Sequence, residues 1–95
     1  MHGAVINAGS VIGRNCIINS HSLIEHDAFI ADHCHIATSA AINSGVSIGL
    51  GTFLGSNSSV RQGVRIGSRC IVGMGRSVLA DCEDGVQLPA SNKAA

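Results

Sequence analysis

The chain has no tryptophan and no tyrosine, two phenylalanines and a single proline among its 95 residues. A usual globular core, with bulky aromatics filling the space between layers, is hard to build from that set. Charge is scarce as well. Lys plus Arg and Asp plus Glu stand at six each, so the net charge is zero with histidine neutral. That balance argues against nucleic acid or an anionic membrane as a partner. No apolar run approaches the roughly 20 residues of a membrane span. The start, Met1-His2-Gly3-Ala4, lacks the basic region and apolar stretch of a secretory signal. A cytoplasmic location is therefore expected, and the length is that of one domain.

What is present is a repeat. Counted in sixes from Ile6, positions 6, 12, 18, 24, 30, 36, 42, 48, 54, 60, 66, 72 and 78 are all Ile, Leu or Val, thirteen hexads without an insertion. The next residue is often Asn or Gly (Asn7, Gly13, Asn19, Asn43, Gly49, Gly55, Gly67, Gly73). These types tolerate the backbone angles of tight corners, so the corners are expected there. Four residues after each aliphatic stands a mostly small one, such as Ser10, Cys16, Ser22, Ala28, Cys34 or Ala40. Side chains alternate along a strand, so this residue and the aliphatic two places later both point inward. All four cysteines (Cys16, Cys34, Cys70, Cys82) fall at the small inward position. Four cysteines are compatible with a disulfide framework or a metal site; the register favours small buried apolar residues instead.

This pattern resembles the hexapeptide signature of the left-handed parallel β-helix, an all-β fold. In that fold three hexads make one triangular coil, and residues three hexads apart stack in columns. About four coils fit before Leu79, and at roughly 4.8 Å per coil the prism is about 20 Å tall. From Leu79 the phase dissolves into Ala80-Asp81-Cys82-Glu83-Asp84-Gly85. The expected division is a β-helix domain over 1–79 and a carboxyl-terminal cap or tail over 80–95. The repeat begins almost at Met1. Solenoids need their end coils covered, so a further segment or another subunit is expected over that end.

The residue before each aliphatic points outward. One column then reads Ile17, His35, Phe53, Ile71; others hold Val5, Leu23 and Ala41, or Val11 and Phe29. Contiguous outward apolar residues suggest a partner surface. A triangular prism suits three-fold packing of identical copies, so a homotrimer is expected. His35 would lie in the resulting apolar seam.

The histidines concentrate in HDAFIADHCH, residues 26–35. His26 stands at a corner between Glu25 and Asp27. A carboxylate on one ring nitrogen fixes the tautomer and strengthens the base, which suits a general base; the plainer reading is a surface histidine in a polar turn. His35 is either a surface residue or a ligand donor. His21 and His33 read as bystanders, and His2 carries no signal. The spacing of His21 and His26 is similar to a zinc pattern in hexapeptide-repeat carbonic anhydrases. Their third histidine, two coils earlier, has no counterpart here, so no metal is expected. Gly49-x-Gly51 and Gly73-x-Gly75 follow the repeat and open no helix, so they are not phosphate loops. Asn57-Ser58-Ser59 fits a glycosylation acceptor and carries no weight in a cytoplasmic repeat. Arg61, Arg65, Arg69 and Arg76 are either a solvated face or a landing site for coenzyme phosphates.

Residues 17–79, most specifically Asn19, Glu25-His26-Asp27 and His35, resemble the sugar acetyltransferases of the sialic-acid O-acetyltransferase type. They are also similar to the N-acetyltransferase of bacterial UDP-amino-sugar synthesis. The resemblance implies that His26 is the general base, that Asp27 raises its basicity and that Asn19 lies beside them. It implies that His35 contacts the thioester end of acetyl-CoA and that Gly55, Ser56, Gly73 and Met74 line the coenzyme at a subunit seam. The implied activity is acetyl transfer from acetyl-CoA to an amine or hydroxyl of a sugar or sugar nucleotide. Three departures stand out. Relatives carry an amino-terminal sugar-nucleotide domain that is not seen here. In the tail, Gly85 to Lys93, Pro89-Ala90 is kept but the family's Gly and adjacent Lys are not, and Met74 replaces a small residue. The rival expectation is therefore a non-catalytic trimeric scaffold, or a coenzyme-binding relic.

Overall fold

The computed structural model describes residues 3–90; His2 and Ser91–Lys93 lie outside them. Every strand is two residues long, and every pairing is parallel. The first face stacks β1 (Val5–Ile6), β4 (Leu23–Ile24), β7 (Ala41–Ile42), β10 (Ser59–Val60) and β13 (Ser77–Val78). The second stacks β2 (Val11–Ile12), β5 (Phe29–Ile30), β8 (Ser47–Ile48) and β11 (Arg65–Ile66). The third stacks β3 (Ile17–Ile18), β6 (His35–Ile36), β9 (Phe53–Leu54), β12 (Ile71–Val72) and β14 (Gln87–Leu88). The chain visits the faces in turn, so it winds a triangular left-handed β-helix. Among the described residues no helix is long and apolar enough to cross a membrane.

The hexad aliphatics fill the inside of this prism. Ile24, Ile30, Ile36, Ile42, Ile48, Leu54, Val60 and Val72 are 0% exposed. The small inward residues pack between them, with Ser22, Ala28, Cys34, Ala40, Thr52, Ser58 and Cys70 all buried. Two of the polar side chains in this group reach backbone carbonyls one coil on, and Ser58 Oγ donates to Gly55 O within its own corner. Ser22 Oγ donates to Ala37 O at 2.9 Å and Thr52 Oγ1 to Gly67 O at 2.8 Å. The thiols do the same: Cys34 Sγ lies 3.1 Å from Gly49 O and Cys70 Sγ 3.1 Å from Glu83 O. The four cysteines are free, as the register implied.

The corners differ from the sequence expectation. Left-handed backbone angles fall three residues after each aliphatic, not one. Asn15, His21, Asp27, His33, Ser39, Asn57 and Arg69 have φ between 55° and 62°. The glycines directly after the aliphatics serve another need, which is space. A Cβ on Gly49 would stand 2.5 Å from the Gly67 carbonyl carbon, and one on Gly55 would stand 2.6 Å from the Met74 nitrogen. They let one coil's backbone lie against the next.

The prism also runs further than the hexad count. Regular coils repeat every 18 residues, as in the Ser59–Ser77 pair. After Leu79 the repeat shortens: Asp81 Oδ1 accepts from Arg65 N and Asp84 Oδ1 from Ser68 N, each 16 residues apart. Cys82 bridges Ile66, and β14 pairs with β12. The stretch read as a polar tail is thus a tightened fifth turn. Cys82 consequently moves from the small inward row to the aliphatic row beneath Ile48 and Ile66. Arg76, at the foot of the column Ala4, Ser22, Ala40, Ser58, sends its guanidinium to Pro89 O at 3.1 Å.

Burial grades the cost of truncation. Ile42→Ala should destabilise by about 2–5 kcal/mol, because the cavity is enclosed on every side. Ile6→Ala, at a position 41% exposed, should cost much less; urea unfolding of both variants measures the contrast. A second expectation concerns acid. The Arg14 backbone N–H, 2.7 Å from Asp32 Oδ1, holds that carboxyl below the usual carboxylate range, helped by the Arg14 guanidinium at 3.5 Å. Its stabilisation is present above the ordinary carboxylate range and is lost as pH falls through the lowered value. Asp32→Asn should therefore make unfolding less steep with falling pH, read from Tm against pH.

Candidate active site

The predicted site residues separate into two groups on the prism. Asn19 and His35 belong together. Asn19 opens the corner between the third and first faces, and His35 points outward from β6. Asn19 Nδ2 lies 3.2 Å from His35 Nε2. The His35 ring meets Phe53 edge to face, with centroids 5.0 Å apart and planes at 81°. Pairing of β3, β6, β9 and β12 stacks Ile17, His35, Phe53 and Ile71 in one outward column. Ile17 is 52% and Ile71 47% exposed, so this face presents an apolar strip with an imidazole in it.

Gly55, Ser56, Gly73 and Met74 follow β9 and β12 on the same corner as Asn19. Gly55 is buried, Ser56 half-buried, and Met74 is 58% exposed. The Gly73 backbone lies tight against Pro89-Ala90, so the tightened last turn borders this corner.

His26 and Asp27 lie elsewhere. They follow β4 and precede β5, at the corner joining the first and second faces. In a triangular section that corner is opposite the third face. Asn19 and the apolar strip holding His35 are therefore not beside His26 and Asp27 within one chain, where the resemblance set Asn19 beside them. Asp27 and His26 also lean apart. His26 Nδ1 faces Ser44 Oγ, one coil onward, at 3.5 Å. The Asp27 carboxylate reaches back over Gly9, where a Cβ would strike it. Among the described residues no hydrogen bond joins Asp27 to His26. With φ at 62°, Asp27 occupies the left-handed corner position that Asp, Asn and His tolerate best. Ser44 is the partner that sequence reasoning missed, though an 18-residue spacing links it to His26. Phe53 was legible as a neighbour of His35, but not its ring geometry.

The remaining candidates disperse. His21 and His33 are left-handed corner residues on either side of the third face. Among the described residues no three His, Cys, Asp or Glu side chains are grouped to hold a metal ion. The arginines are distributed around the prism and form no single patch: Arg61 donates to Leu79 O at 3.4 Å, Arg65 projects from the second face, and Arg76 closes the end. Two open cavities of about 580 Å³ lie at the last turn, away from both histidine groups.

The hexapeptide-repeat model described for succinyl-transferase matches residues 45–80. A histidine-to-asparagine variant of perosamine N-acetyltransferase from Caulobacter crescentus, in complex with CoA and GDP-perosamine, superposes with a TM-score of 0.91 at 40% identity. That match covers 92% of this chain and 41% of the other. The chain has the hexapeptide-repeat fold of the sugar acetyltransferases. A histidine-to-alanine variant of the same Caulobacter enzyme, with the same ligands, matches at 27% identity and TM-score 0.63, over 90% of this chain and 49% of that one. The acetyltransferase domain of PglB from Neisseria gonorrhoeae, in complex with acetyl coenzyme A, shares the fold at 18% identity and TM-score 0.66, over 88% and 50%. The chain thus spans half or less of the length of these proteins. None of the curated protein sequences matches it.

Two of the thiols, Cys34 and Cys82, are poor candidates for an acyl-carrying nucleophile. Burial pushes the Cys34 thiol up from its ordinary value, and that of Cys82 as well. A thiol attacks as thiolate, so both are slowed at neutral pH. Native protein should react with Ellman's reagent far more slowly at Cys34 than urea-unfolded protein does. Cys34→Ser should unfold within about 1 kcal/mol of the native chain, because a hydroxyl makes the same carbonyl bond at Thr52 in this column.

Proposed function

We propose that this chain transfers an acetyl group from acetyl-CoA to an amine or hydroxyl of a sugar or sugar nucleotide. The observation that carries the reading is the match, at 40% identity, to an N-acetyltransferase in complex with CoA and GDP-perosamine. The separation of the two histidine groups supports a site built between copies. His26, on the corner of one copy, would face the His35 strip of the next, and three-fold packing repeats that contact. The outward apolar residues Val5, Val11, Ile17 and Phe29, each about half exposed, support association of this kind.

The chemistry follows from the roles. His26 takes a proton from the acceptor as its nitrogen or oxygen attacks the acetyl carbon. The carbonyl oxygen gains negative charge and is stabilised by His35 or a backbone N–H on the strip. The C–S bond then breaks, and the departing thiolate takes up the proton. No acyl-enzyme is needed. Ser44, rather than Asp27, is the side chain oriented to hold the His26 ring within one chain. Asp27 serves His26 only if the ring turns or a neighbouring copy brings them together.

A second reading has one observation in its favour. Met74 stands exposed at the corner beside Gly55 and Ser56, where a coenzyme arm would run. A prism obstructed there would be a scaffold, or would bind coenzyme without acting on it.

Calorimetric titration with acetyl-CoA, with solution mass measured alongside, tests the reading. The expected result is a trimer binding one coenzyme per subunit. A well-folded trimer that binds none would favour the scaffold. In the active protein, His26→Ala should lower kcat by about 10²–10⁴-fold with acetyl-CoA affinity retained. Undiminished turnover would remove His26 as the base.

A further inference from the structure

The Asn19–His35 contact says more than proximity, because two asparagines at the same corner position show which amide atom reaches toward the next coil. Three asparagines directly follow an inward aliphatic: Asn7, Asn19 and Asn43. All three side chains reach into the next coil. Asn7 Nδ2 donates to Glu25 Oε1 at 3.1 Å, and Asn43 Nδ2 donates to Val60 O at 2.8 Å. A carboxylate and a peptide carbonyl only accept hydrogen bonds. At these two positions the amide nitrogen, not its oxygen, must therefore point along the column. Asn19 has the same corner position and the same backbone anchoring. Its N–H donates to Ile36 O at 2.9 Å, as that of Asn7 does to Ile24 O at 2.9 Å. Its Nδ2 lies 3.2 Å from His35 Nε2.

We infer that Asn19 is a positioning residue: by donating to His35 Nε2 it holds the neutral ring in the tautomer that carries its proton on Nδ1. An imidazole nitrogen accepting a hydrogen bond has no proton of its own, so the proton resides on the other nitrogen. Phe53, edge to face at 81°, fixes the ring plane. Among the described residues Nδ1 has no hydrogen-bond partner, so the ring presents a fixed N–H donor on the apolar strip. The group such a donor recognises is a carbonyl oxygen, and most strongly one gaining negative charge. In the opposite tautomer Nδ1 would offer a lone pair and repel that oxygen. Resting on the acetyl-transfer reading, the inference makes Asn19 the residue that distinguishes an acylated coenzyme from the free thiol, acting through His35.

The test is tautomer assignment by long-range ¹H–¹⁵N correlation on the full chain with ¹⁵N-labelled histidine, at a pH where imidazole is neutral. His35 signals are identified by their loss in His35→Gln. The native chain should show the Nδ1–H form. Asn19→Asp, nearly the same shape, places an obligate acceptor against Nε2 and should invert the assignment. An Nε2–H form in the native chain would overturn the inference, whether or not the variant folds, and so would an unchanged assignment in a folded Asn19→Asp. Titration supplies the second readout. Native protein should bind acetyl-CoA about five- to tenfold more tightly than CoA, the worth of one hydrogen bond. Asn19→Asp should lose that preference; a preference that survives would overturn the donor role. If the native chain binds neither coenzyme but shows the Nδ1–H form and its inversion, the positioning role stands and the acetyl-transfer reading falls.

Discussion

Backbone hydrogen bonding from coil to coil is the constraint on which everything else in this molecule depends. A strand of two residues has no stability by itself. Here the inner ones are held by bonds to the coils above and below, such as Leu23 N to Ala40 O and Ala41 N to Ser58 O. The pairing forces identical positions three hexads apart into register. Once in register, the aliphatics form continuous inward rows and need no large aromatic to fill the section. Glycine at positions such as 49 and 55 follows from the same constraint, since the coils approach too closely there for a Cβ. Short strands also accumulate little of the twist that makes most parallel crossovers right-handed, which leaves a left-handed winding accessible.

Much of this was legible from Ile6 to Val78 because the period alone decides which side chains face in. The inward cysteines follow from counting; the outward column of Ile17, His35, Phe53 and Ile71 and the all-parallel architecture follow once the resemblance supplies three hexads per coil. What the period does not carry is backbone angle. The Asn and Gly after each aliphatic looked like corner formers, but the left-handed angles fall two residues later, on His21, Asp27 and His33 among others. Nor does it reveal a shortened turn. The loss of two residues after Leu79 disguises Cys82 and Leu88 as tail, although they continue two inward rows.

The candidate site was legible residue by residue and not as an arrangement. Asn19 was named from a family likeness and His35 also from its outward place in the column, and the structure joins them at 3.2 Å. His26 and Asp27 are adjacent in sequence, which suggested a pair. Adjacent corner residues point along different lines, however, and the side chains that meet in this fold are those one coil apart. That is why Ser44, and not Asp27, faces His26. Neighbourhood in a solenoid is measured across coils rather than along the chain.

The regular coil therefore acts as a ruler laid beside any ligand bound along a corner. One graduation is about 4.8 Å and is marked in sequence by 18 residues. Inserting or deleting a whole coil would slide one part of a binding surface past another by a fixed length while leaving the cross-section unchanged. The final turn, marked in 16 residues, is where the scale changes. Below Val72, a position reckoned by the regular count is displaced by two residues, and with it the face to which a side chain belongs.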